Sequence, residues 1–339
     1  MSILVTGGTG YIGSHTVVEL LNIGEDIIIV DNFINSKPIV LDRIKTITGR
    51  EPTFHEVDLL DADALEAVFK VHPDITSCIH FAGLKAVGES VSQPLRYYHN
   101  NITGTLNLCS VMAKYGVKTM VFSSSATVYG TPECVPIKET DKLGPTTNPY
   151  GETKLMIERI LADLVKADPT WSISILRYFN PIGAHASGLI GEDPCGIPNN
   201  LLPYVTKVAE GQLPVLHVHG NDYPTPDGTG VRDYIHVVDL ALAHLKALDR
   251  AKTVQGVEYY NIGTGHGYSV LEVVHAYEEA TGKHVNFEIG PRRPGDVAEC
   301  FADATKAKEL LGWEAQYNIL DMCRDAGRWQ SQNPKGYET

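Results

Sequence analysis

A tyrosine and a lysine four positions apart are the side chains of this sequence best suited to acid–base chemistry. Tyr150 is the only tyrosine that is followed four residues later by a lysine, Lys154, and apolar residues at helical spacing continue beyond the pair. This spacing places both side chains on one face of a helix. A free phenol has a pKa of about 10, and an adjacent positive charge lowers it, so Tyr150 could act as a base near neutral pH.

A run of hydroxyl side chains supplies a possible third member of the site. The apolar segment 120–123, predicted as a strand, leads into Ser124 and Ser125. A serine at the carboxyl end of a parallel strand lies where ligands bind in open α/β sheets, and its hydroxyl could hydrogen-bond a reacting oxygen. Taken alone, Tyr150 and Lys154 would more simply be a surface pair on a helix. The serine run favours a Ser125–Tyr150–Lys154 catalytic site.

The elements that would position these residues follow a strand–helix alternation. Short apolar runs rich in β-branched residues alternate with helical patterns as far as Arg177 and predict strands at 3–6, 27–30, 54–57, 78–81, 120–123 and 173–176. Parallel neighbours need crossover helices, so the pattern predicts a doubly wound, Rossmann-type parallel sheet over residues 1–180. Residues 181–339, with shorter helices such as 237–249 and 269–281, predict a smaller mixed α/β domain lying over the carboxyl edge of the sheet, with some exchange of chain between the two.

A glycine motif at the end of the first predicted strand indicates a dinucleotide site. Gly7, Gly10 and Gly13 form G-x-x-G-x-x-G and open a helix, so a pyrophosphate could approach the backbone at the positive helix N-terminus. Asp31 ends the second predicted strand, where a carboxylate accepts hydrogen bonds from the adenosine ribose and disfavours a 2′-phosphate. The alternatives are a glycine turn without a ligand and a turn role for Asp31, like that of Asn32. Strand, glycines, helix and acid together favour NAD.

Composition excludes several other classes of protein. The 339 residues are 43% hydrophobic and 20% charged, typical of a compact fold, and no apolar run is long enough to span a membrane. The formal net charge of -13 disfavours nucleic acid as a partner. The six cysteines are widely spaced, so we expect free thiols and no metal site. The N-terminal apolar stretch runs directly into glycines instead of a cleavage site, and a cytoplasmic protein is therefore expected.

The sequence resembles the extended short-chain dehydrogenase/reductase superfamily and, within it, the UDP-galactose (UDP-glucose) 4-epimerases. The resemblance covers nearly the whole chain. It is carried by VTGGTGYIGSH (5–15), HFAGLKAVGES (80–90), SSSATVYG (123–130), RYFNP (177–181) and GTGVRDYIH (228–236). The first and third segments are shared across the superfamily, whereas the second and fifth are more particular to epimerases.

The resemblance implies roles for individual residues. Those expected to line the NAD site, besides Ser125, Tyr150, Lys154 and the glycines, are Tyr11, Ile12, Asp31, Asn32, Ser36, Asp58, Leu59, Phe81, Lys85, Asn100 and Phe179. Those expected to hold a UDP-sugar, besides Ser125 and Tyr150, are Asn180, Asn200, Leu201, Arg232, Arg293, Asp296 and Cys300. Arginine forks match phosphate oxygens, which suits a pyrophosphate. Without the resemblance, Arg292 and Arg293 would be interpreted as a solvated basic pair.

The resemblance also implies a mechanism and an assembly. Phenolate Tyr150 would take the proton of the sugar 4-hydroxyl, with Ser125 hydrogen-bonded to that oxygen, while C4 is oxidised by NAD. The 4-ketopyranose would turn over and be reduced on its other face, so NAD would stay bound and no net oxidation would occur. A homodimer is implied, and helices at 94–114 and 148–166 could form its contact.

Cys300 bears on the range of substrates. In the family this position lies beside the sugar 2-substituent, and members with a residue smaller than tyrosine there also accept N-acetylated sugars. Cysteine leaves room for an acetamido group that a tyrosine ring would exclude. The alternative is a small buried hydrophobe with no role in specificity.

Two other functions fit parts of the same pattern. A sugar-nucleotide 4,6-dehydratase shares the fold and the first oxidation, but it needs an added acid/base pair and typically carries Thr-Asp-Glu where this chain has Ser125-Ala126-Thr127. A non-catalytic NAD-binding regulatory module would keep the glycines and lose the chemistry. Intact Ser125, Tyr150 and Lys154 argue against this second alternative.

Overall fold

The computed structural model describes residues 1–194, 198, 200–293 and 296–338, and Cys195, one of the expected free thiols, lies outside them. The chain forms two compact units. The first comprises Met1–Gly130, Lys142–Tyr178 and Ala241–Tyr260, and the second comprises Thr131–Asp141, Phe179–Leu240 and Asn261–Thr339. Besides the change of unit after Tyr178, the segments Thr131–Asp141 and Ala241–Tyr260 also change unit.

The described strands and helices are numbered here in the order in which they occur along the chain. The strands are β1 (Ser2–Thr6), β2 (Asp26–Asp31), β3 (Thr53–Glu56), β4 (Ile75–His80), β5 (Thr119–Ser123), β6 (Ser172–Tyr178), β7 (Asn180–Ile182), β8 (Leu216–His219), β9 (Val231–His236), β10 (Gly256–Ile262), β11 (Gly267–Ser269), β12 (Phe287–Gly290) and β13 (Glu299–Cys300). The helices are α1 (Tyr11–Asn22), α2 (Ile39–Thr48), α3 (Ala62–Val71), α4 (Val87–Ser92), α5 (Pro94–Tyr98), α6 (Gly104–Lys114), α7 (Pro149–Ala167), α8 (Leu201–Ala209), α9 (Val237–Ala251), α10 (Val270–Thr281), α11 (Thr305–Leu311) and α12 (Ile319–Gln332).

A seven-stranded sheet forms the centre of the first unit, in the order β10-β6-β5-β4-β1-β2-β3. The neighbouring pairs from β6 to β3 are parallel, with Val5 opposite Ile29 on one side and opposite Ile79 on the other. Every residue of β1 is buried, as expected of a strand covered on both faces. The predicted doubly wound parallel sheet is confirmed.

Helices α3, α6 and α7 pack onto this sheet through one apolar cluster. Their buried residues, such as Phe69, Met112 and Leu161, contact strand residues such as Leu4 and Met120. A π-helical turn at His99–Thr103 lies between α5 and α6, within the segment predicted as one helix at 94–114. The strand β10 was not predicted, because the sequence after Arg177 was assigned as a whole to the second domain.

The second unit is built around β9. Strands β7 and β13 pair parallel with β9 and β11 pairs with it antiparallel, while β8 and β12 form a separate parallel pair. Helices α8, α10 and α12 contribute to one apolar cluster with residues such as Val205, Tyr277 and Met322. Within the described ranges, no helix is both long and apolar enough to cross a bilayer.

Candidate active site

The glycine turn after β1 leaves a helix N-terminus open to a ligand. Gly10 caps α1 with an extended backbone, and its amide donates to the Gly7 carbonyl at 3.1 Å. A Cβ on Gly13 would lie 2.2 Å from the Gly7 oxygen, so a side chain there would force the turn apart. The first turn of α1 carries no acidic residue that would repel an anion. These residues fit a pyrophosphate held by the α1 amides.

Asp31 joins the glycine turn to the loop that follows β2. Its carboxylate accepts hydrogen bonds from the Thr9 amide (3.1 Å), the Phe33 amide (2.9 Å) and the Ser36 hydroxyl (3.1 Å). The turn role considered from the sequence is therefore present in the structure. Phe33 has a φ of 55°, a left-handed conformation that a bulky residue rarely adopts, so this carboxylate holds the loop in an uncommon shape.

Substitution of Asp31 separates its turn role from its expected ribose role. Asp31→Asn keeps a hydrogen-bond acceptor and removes the charge, whereas Asp31→Ala removes both. If the carboxylate binds the ribose hydroxyls, both variants are expected to lose NAD affinity by roughly 10- to 100-fold and to narrow the advantage of NAD over NADP. Calorimetric titration with the two dinucleotides measures this preference. An unchanged preference in both variants would restrict Asp31 to the turn.

The other residues expected at NAD lie at the ends of neighbouring strands. Asn32 follows β2, and its side-chain amide donates at 2.9 Å to Asp58, which follows β3 beside the buried Leu59. After β4, the Phe81 ring centre lies 4.6 Å from that of His244, and the Lys85 ammonium lies 5.7 Å from the centre of the Tyr11 ring.

Asn100 and Phe179 occupy different settings. Asn100 donates to the Asn101 side chain at 3.0 Å, whereas Phe179 is a buried residue of the second unit.

Asn101 was not predicted. It is buried, and its amide bonds both the Leu84 carbonyl and the Thr153 hydroxyl of α7 at 3.0 Å. No local sequence pattern marks the π-helical turn that carries Asn101.

Tyr150 lies in the first turn of α7, directly against the turn that carries Ser125. Asn148 caps the helix by accepting from the Gly151 amide at 2.9 Å. A Cβ on Gly151 would lie 3.2 Å from the Thr127 carbonyl oxygen, so glycine permits this close approach. Thr127 in turn donates from its hydroxyl to Ser125 at 3.0 Å. The structure therefore brings Ser125 and Tyr150 together.

The phenol of Tyr150 belongs to a group of buried hydroxyls. Burial raises the pKa of Tyr150 well above its ordinary value, the neighbouring Tyr178 adds to the rise, and a hydrogen bond with Ser125 opposes it. Burial also raises the pKa of Tyr178, which hydrogen bonds with Ser123 and Tyr150 lower. Tyr178 was missed from the sequence, although it follows Arg177 in a segment that carries the resemblance.

The Lys154 ammonium lies beside these buried hydroxyls. Its Nζ donates to the Ser123 carbonyl at 2.7 Å and lies 5.9 Å from the centre of the Tyr150 ring. Burial lowers the pKa of Lys154 to about 8, and the carboxylate of Glu158 acts in the opposite direction. Burial and the Lys154 charge lower the pKa of His80 to about 3, so this neighbouring imidazole is neutral. The positive charge here is that of the lysine.

The second unit brings several of the expected substrate residues onto and beside β9. Arg232 donates to the Val297 carbonyl at 2.9 Å, and Cys300 is its partner in the β9–β13 ladder. Asp296 lies between two arginines, 2.9 Å from Arg293 and 3.7 Å from Arg232. Burial raises the pKa of the Cys300 thiol to about 11, so cysteine is a neutral small residue here.

Arg292 and the remaining expected substrate residues of this unit have other neighbours. Arg292 pairs with Asp222 at 2.6 Å and stacks on the Tyr223 ring at 4.0 Å, which distinguishes it from Arg293. Asn180 begins β7. Asn200 donates to Glu192 at 2.8 Å and precedes Leu201 at the start of α8. Among the residues with described positions, no group of three metal-ligating side chains occurs.

Comparisons with known proteins agree on one family. Residues 4–326 match the family model described as GDP-mannose 4,6 dehydratase. The UDP-glucose 4-epimerase of Bacillus subtilis (strain 168) is 62% identical over 339 residues, covering 100% of this chain and 99% of that protein. The crystal structure of UDP-glucose 4-epimerase from Bifidobacterium longum in complex with NAD+ and UDP has a TM-score of 0.96 and 56% identity, covering 99% of this chain and 100% of that one.

A third relative carries a wider name. The structure of the UDP-Glc/GlcNAc 4-epimerase from Campylobacter jejuni is 37% identical with a TM-score of 0.85, covering 98% of this chain and 99% of that one. Full-length matches at these identities, together with the Ser125–Tyr150–Lys154 geometry, place the chain in the extended short-chain dehydrogenase/reductase superfamily, and it belongs there to the family of UDP-glucose 4-epimerases.

Proposed function

We propose that this chain inverts C4 of UDP-hexoses, interconverting UDP-glucose and UDP-galactose through a 4-keto intermediate. One observation carries the proposal. The glycine turn, Ser125 and Tyr178 follow or end strands β1, β5 and β6, which run parallel, so they lie at one edge of the first unit's sheet. A dinucleotide turn and a buried acid–base group at the same edge suit reversible oxidation of an alcohol.

The residues divide the chemistry among them. Tyr150 takes the proton of the 4-hydroxyl and later returns it, while Ser125 hydrogen-bonds the same oxygen. NAD, held by the glycine turn and the α1 amides, would supply reversible uptake of hydride from C4. Burial raises the pKa of Tyr150, so the phenolate forms only where positive charge stabilises it. Lys154 is the chain's own source of that charge.

The second unit supplies groups suited to UDP. Arg232 and Arg293 are the candidate ligands of the pyrophosphate, because guanidinium forks donate to phosphate oxygens in pairs. Asp296 is the candidate partner of the uridine ribose, and Asn180, Asn200 and Leu201 complete the proposed set. Firm binding of the nucleotide combined with a loose sugar pocket would let the 4-ketopyranose turn before it is reduced.

A 4,6-dehydratase is the second candidate, and the name of the matching family model favours considering it. Elimination of water needs an acid and a base beside C5 and C6. The two residues after Ser125 are Ala126 and Thr127, and neither carries a carboxylate. The epimerase reaction needs no such pair and is therefore the better fit.

The deciding experiment is incubation of the purified protein with UDP-galactose and no added NAD. Co-purified NAD is expected to support formation of UDP-glucose. A 4-keto-6-deoxy product would instead identify a dehydratase. A protein that binds NAD and leaves the sugar unchanged, with or without added NAD, would be a regulatory module, and the proposed function would be wrong.

The substrate range is proposed to include UDP-N-acetylglucosamine and UDP-N-acetylgalactosamine. The small side chain of Cys300 on β13 supports this, as does the Campylobacter relative, which is named a UDP-Glc/GlcNAc 4-epimerase. Cys300→Tyr is expected to lower turnover of UDP-N-acetylgalactosamine roughly 5- to 150-fold, the cost of overpacking, and to change turnover of UDP-galactose little.

Cys300→Ser is the matched control for that variant, because it keeps the small volume and should keep both activities. Coupled assays with the two substrates give the ratio of kcat/KM values. Equal loss of both activities in Cys300→Tyr, or a wild-type protein without activity on the N-acetylated sugar, would contradict the proposed range.

A homodimer and a cytoplasmic location are also proposed. Val87 and Val91 of α4 and Leu95 of α5 are exposed apolar side chains on neighbouring helices, and a second copy of the chain would cover them. The five described cysteines are free thiols, which suits a reducing compartment. Light scattering of the purified protein tests the dimer directly.

A further inference from the structure

Glu158 lies one helical turn beyond Lys154 on the same face of α7 and forms a buried network of its own. Its carboxylate accepts from Arg177 Nε at 3.1 Å and from Arg177 Nη2 at 2.7 Å. It also accepts from the Ser124 hydroxyl at 2.6 Å. The Arg177 guanidinium is held further by the Tyr129 hydroxyl at 3.1 Å and lies over the Tyr259 ring at 4.7 Å.

Burial of this charged network costs free energy. Both side chains of the ion pair are only 2% exposed. Removing two charges from water costs several kcal/mol per ion, and apolar replacements of similar volume are often as stable or more stable. Stabilisation of the unit is therefore a weak explanation for the buried Glu158–Arg177 pair. The position of the pair indicates a different role.

Each partner of Glu158 adjoins a residue of the proposed acid–base site. Ser124 immediately precedes Ser125 after β5, Arg177 immediately precedes Tyr178 at the end of β6, and Glu158 shares α7 with Tyr150 and Lys154. The Glu158 carboxylate thus connects α7 with the ends of β5 and β6, and these three elements carry or precede the hydroxyls of the proposed site.

On the basis of the proposed function, we propose that the Glu158–Arg177 pair is a positioning device, which fixes α7 against the ends of β5 and β6 so that Ser125, Tyr150 and Tyr178 keep their hydrogen-bonding geometry. A misplacement of about 1 Å at such a site can cost about 100-fold in rate. Neither residue touches the reacting atoms, so both act through their neighbours.

The charge of Glu158 has a second effect, on Lys154. Around the Lys154 ammonium lie Tyr150 and Glu158 of α7, the neutral His80 of β4, and the Phe122 ring and Ser123 carbonyl of β5. Two more titratable side chains, Tyr178 of β6 and His244 of α9, hydrogen-bond the Ser123 hydroxyl. Glu158 is the charge that raises the pKa of Lys154 against the effect of burial. Loss of that charge leaves Arg177 uncompensated nearby, which lowers the pKa of Lys154 further.

The test is Glu158→Gln, which keeps the shape and removes the charge. We expect kcat for UDP-galactose to fall at least about tenfold with little change in KM. The lysine loses its proton at lower pH, so the alkaline limb of the kcat profile should move to lower pH. NMR titration of isotopically labelled lysine should show the pKa of Lys154 falling below its value of about 8.

Two further variants separate positioning from stability. The double variant Glu158→Met/Arg177→Met leaves no buried charge unpaired and is expected to fold with a denaturation midpoint near that of the wild type, yet to keep the low kcat. Glu258→Gln is the matched control, because Glu258 forms a similar two-point pair with Arg250 at 2.9 and 3.1 Å in the same unit. It should change neither the kcat profile nor the Lys154 titration.

Wild-type kcat and an unmoved Lys154 titration in Glu158→Gln would overturn the inference, as would full activity in the double variant. A wild-type protein with no epimerase activity would instead refute the proposed function. In that case the lysine titration in Glu158→Gln still decides whether the pair controls the charge on Lys154.

Discussion

Tyr150→Phe is expected to lower turnover of UDP-galactose at least about 100-fold while NAD content and thermal stability stay near those of the wild type. The change removes only the phenolic oxygen that takes the proton of the sugar hydroxyl. The ring remains in its buried position at the start of α7, so the helix and the glycine turn should be unaffected. Steady-state assays measure turnover, the absorbance of released NAD measures the NAD content, and thermal denaturation measures stability.

Tyr115→Phe is the matched control for Tyr150→Phe. It makes the same chemical change in the same unit and removes a hydrogen bond to Glu66 of 3.1 Å instead. Its turnover should equal that of the wild type. Turnover within a few-fold of the wild type in Tyr150→Phe would remove Tyr150 from the role of base and direct attention to Tyr178, the other phenol of the buried hydroxyl group.

Arg232→Met is expected to raise the KM for UDP-galactose and the Kd for UDP by roughly 10- to 100-fold. A hydrogen bond to a charged group contributes about 1.5–3 kcal/mol, which corresponds to that range. Arg232→Lys keeps the positive charge but loses the two-pronged guanidinium. Its KM and Kd should lie between those of the wild type and those of Arg232→Met. Because UDP lies away from the reacting carbon, kcat should change much less than KM. Calorimetric titration with UDP and steady-state assays measure these effects.

Arg292→Met provides the comparison for Arg232→Met. Arg292 is engaged with Asp222 and the Tyr223 ring, and its loss is expected to change the affinity for UDP no more than a few-fold. Equal losses of affinity in the two variants would indicate a general effect of positive charge, not a defined phosphate ligand, and would contradict the assignment of Arg232.

Much of the fold was predictable because parallel strands leave a strong signal. Strands such as β1 and β2 are short runs of β-branched residues buried on both faces, and each is followed by a helical pattern. The glycines after β1 and the Tyr150–Lys154 spacing are also local, since each depends on a single turn of chain. Strand β10 was missed because a neighbour from late in the chain is a long-range choice that local periodicity does not record.

The parts of the site that were missed depend on tertiary contact. Tyr178 is an ordinary strand-end residue until the fold brings it to Tyr150. Glu158 looks like a solvated helix residue in the sequence, yet the structure buries it against Arg177 and Ser124. Asp31 was assigned a ligand role with a turn role as the alternative, and the structure adds hydrogen bonds from Thr9 and Ser36 that local residue types do not reveal.

The contacts of Asp296 with Arg232 and Arg293 affect how a UDP-sugar binds. Asp296 sits within salt-bridge distance of both Arg293 and Arg232, so the protein carries a carboxylate of its own where the pyrophosphate is proposed to bind. Arrival of UDP-sugar is then an ion exchange in which one anion replaces another. Part of the desolvation of the Arg232 guanidinium is already complete, and few small ions are released. Affinity for the nucleotide should therefore depend only weakly on ionic strength.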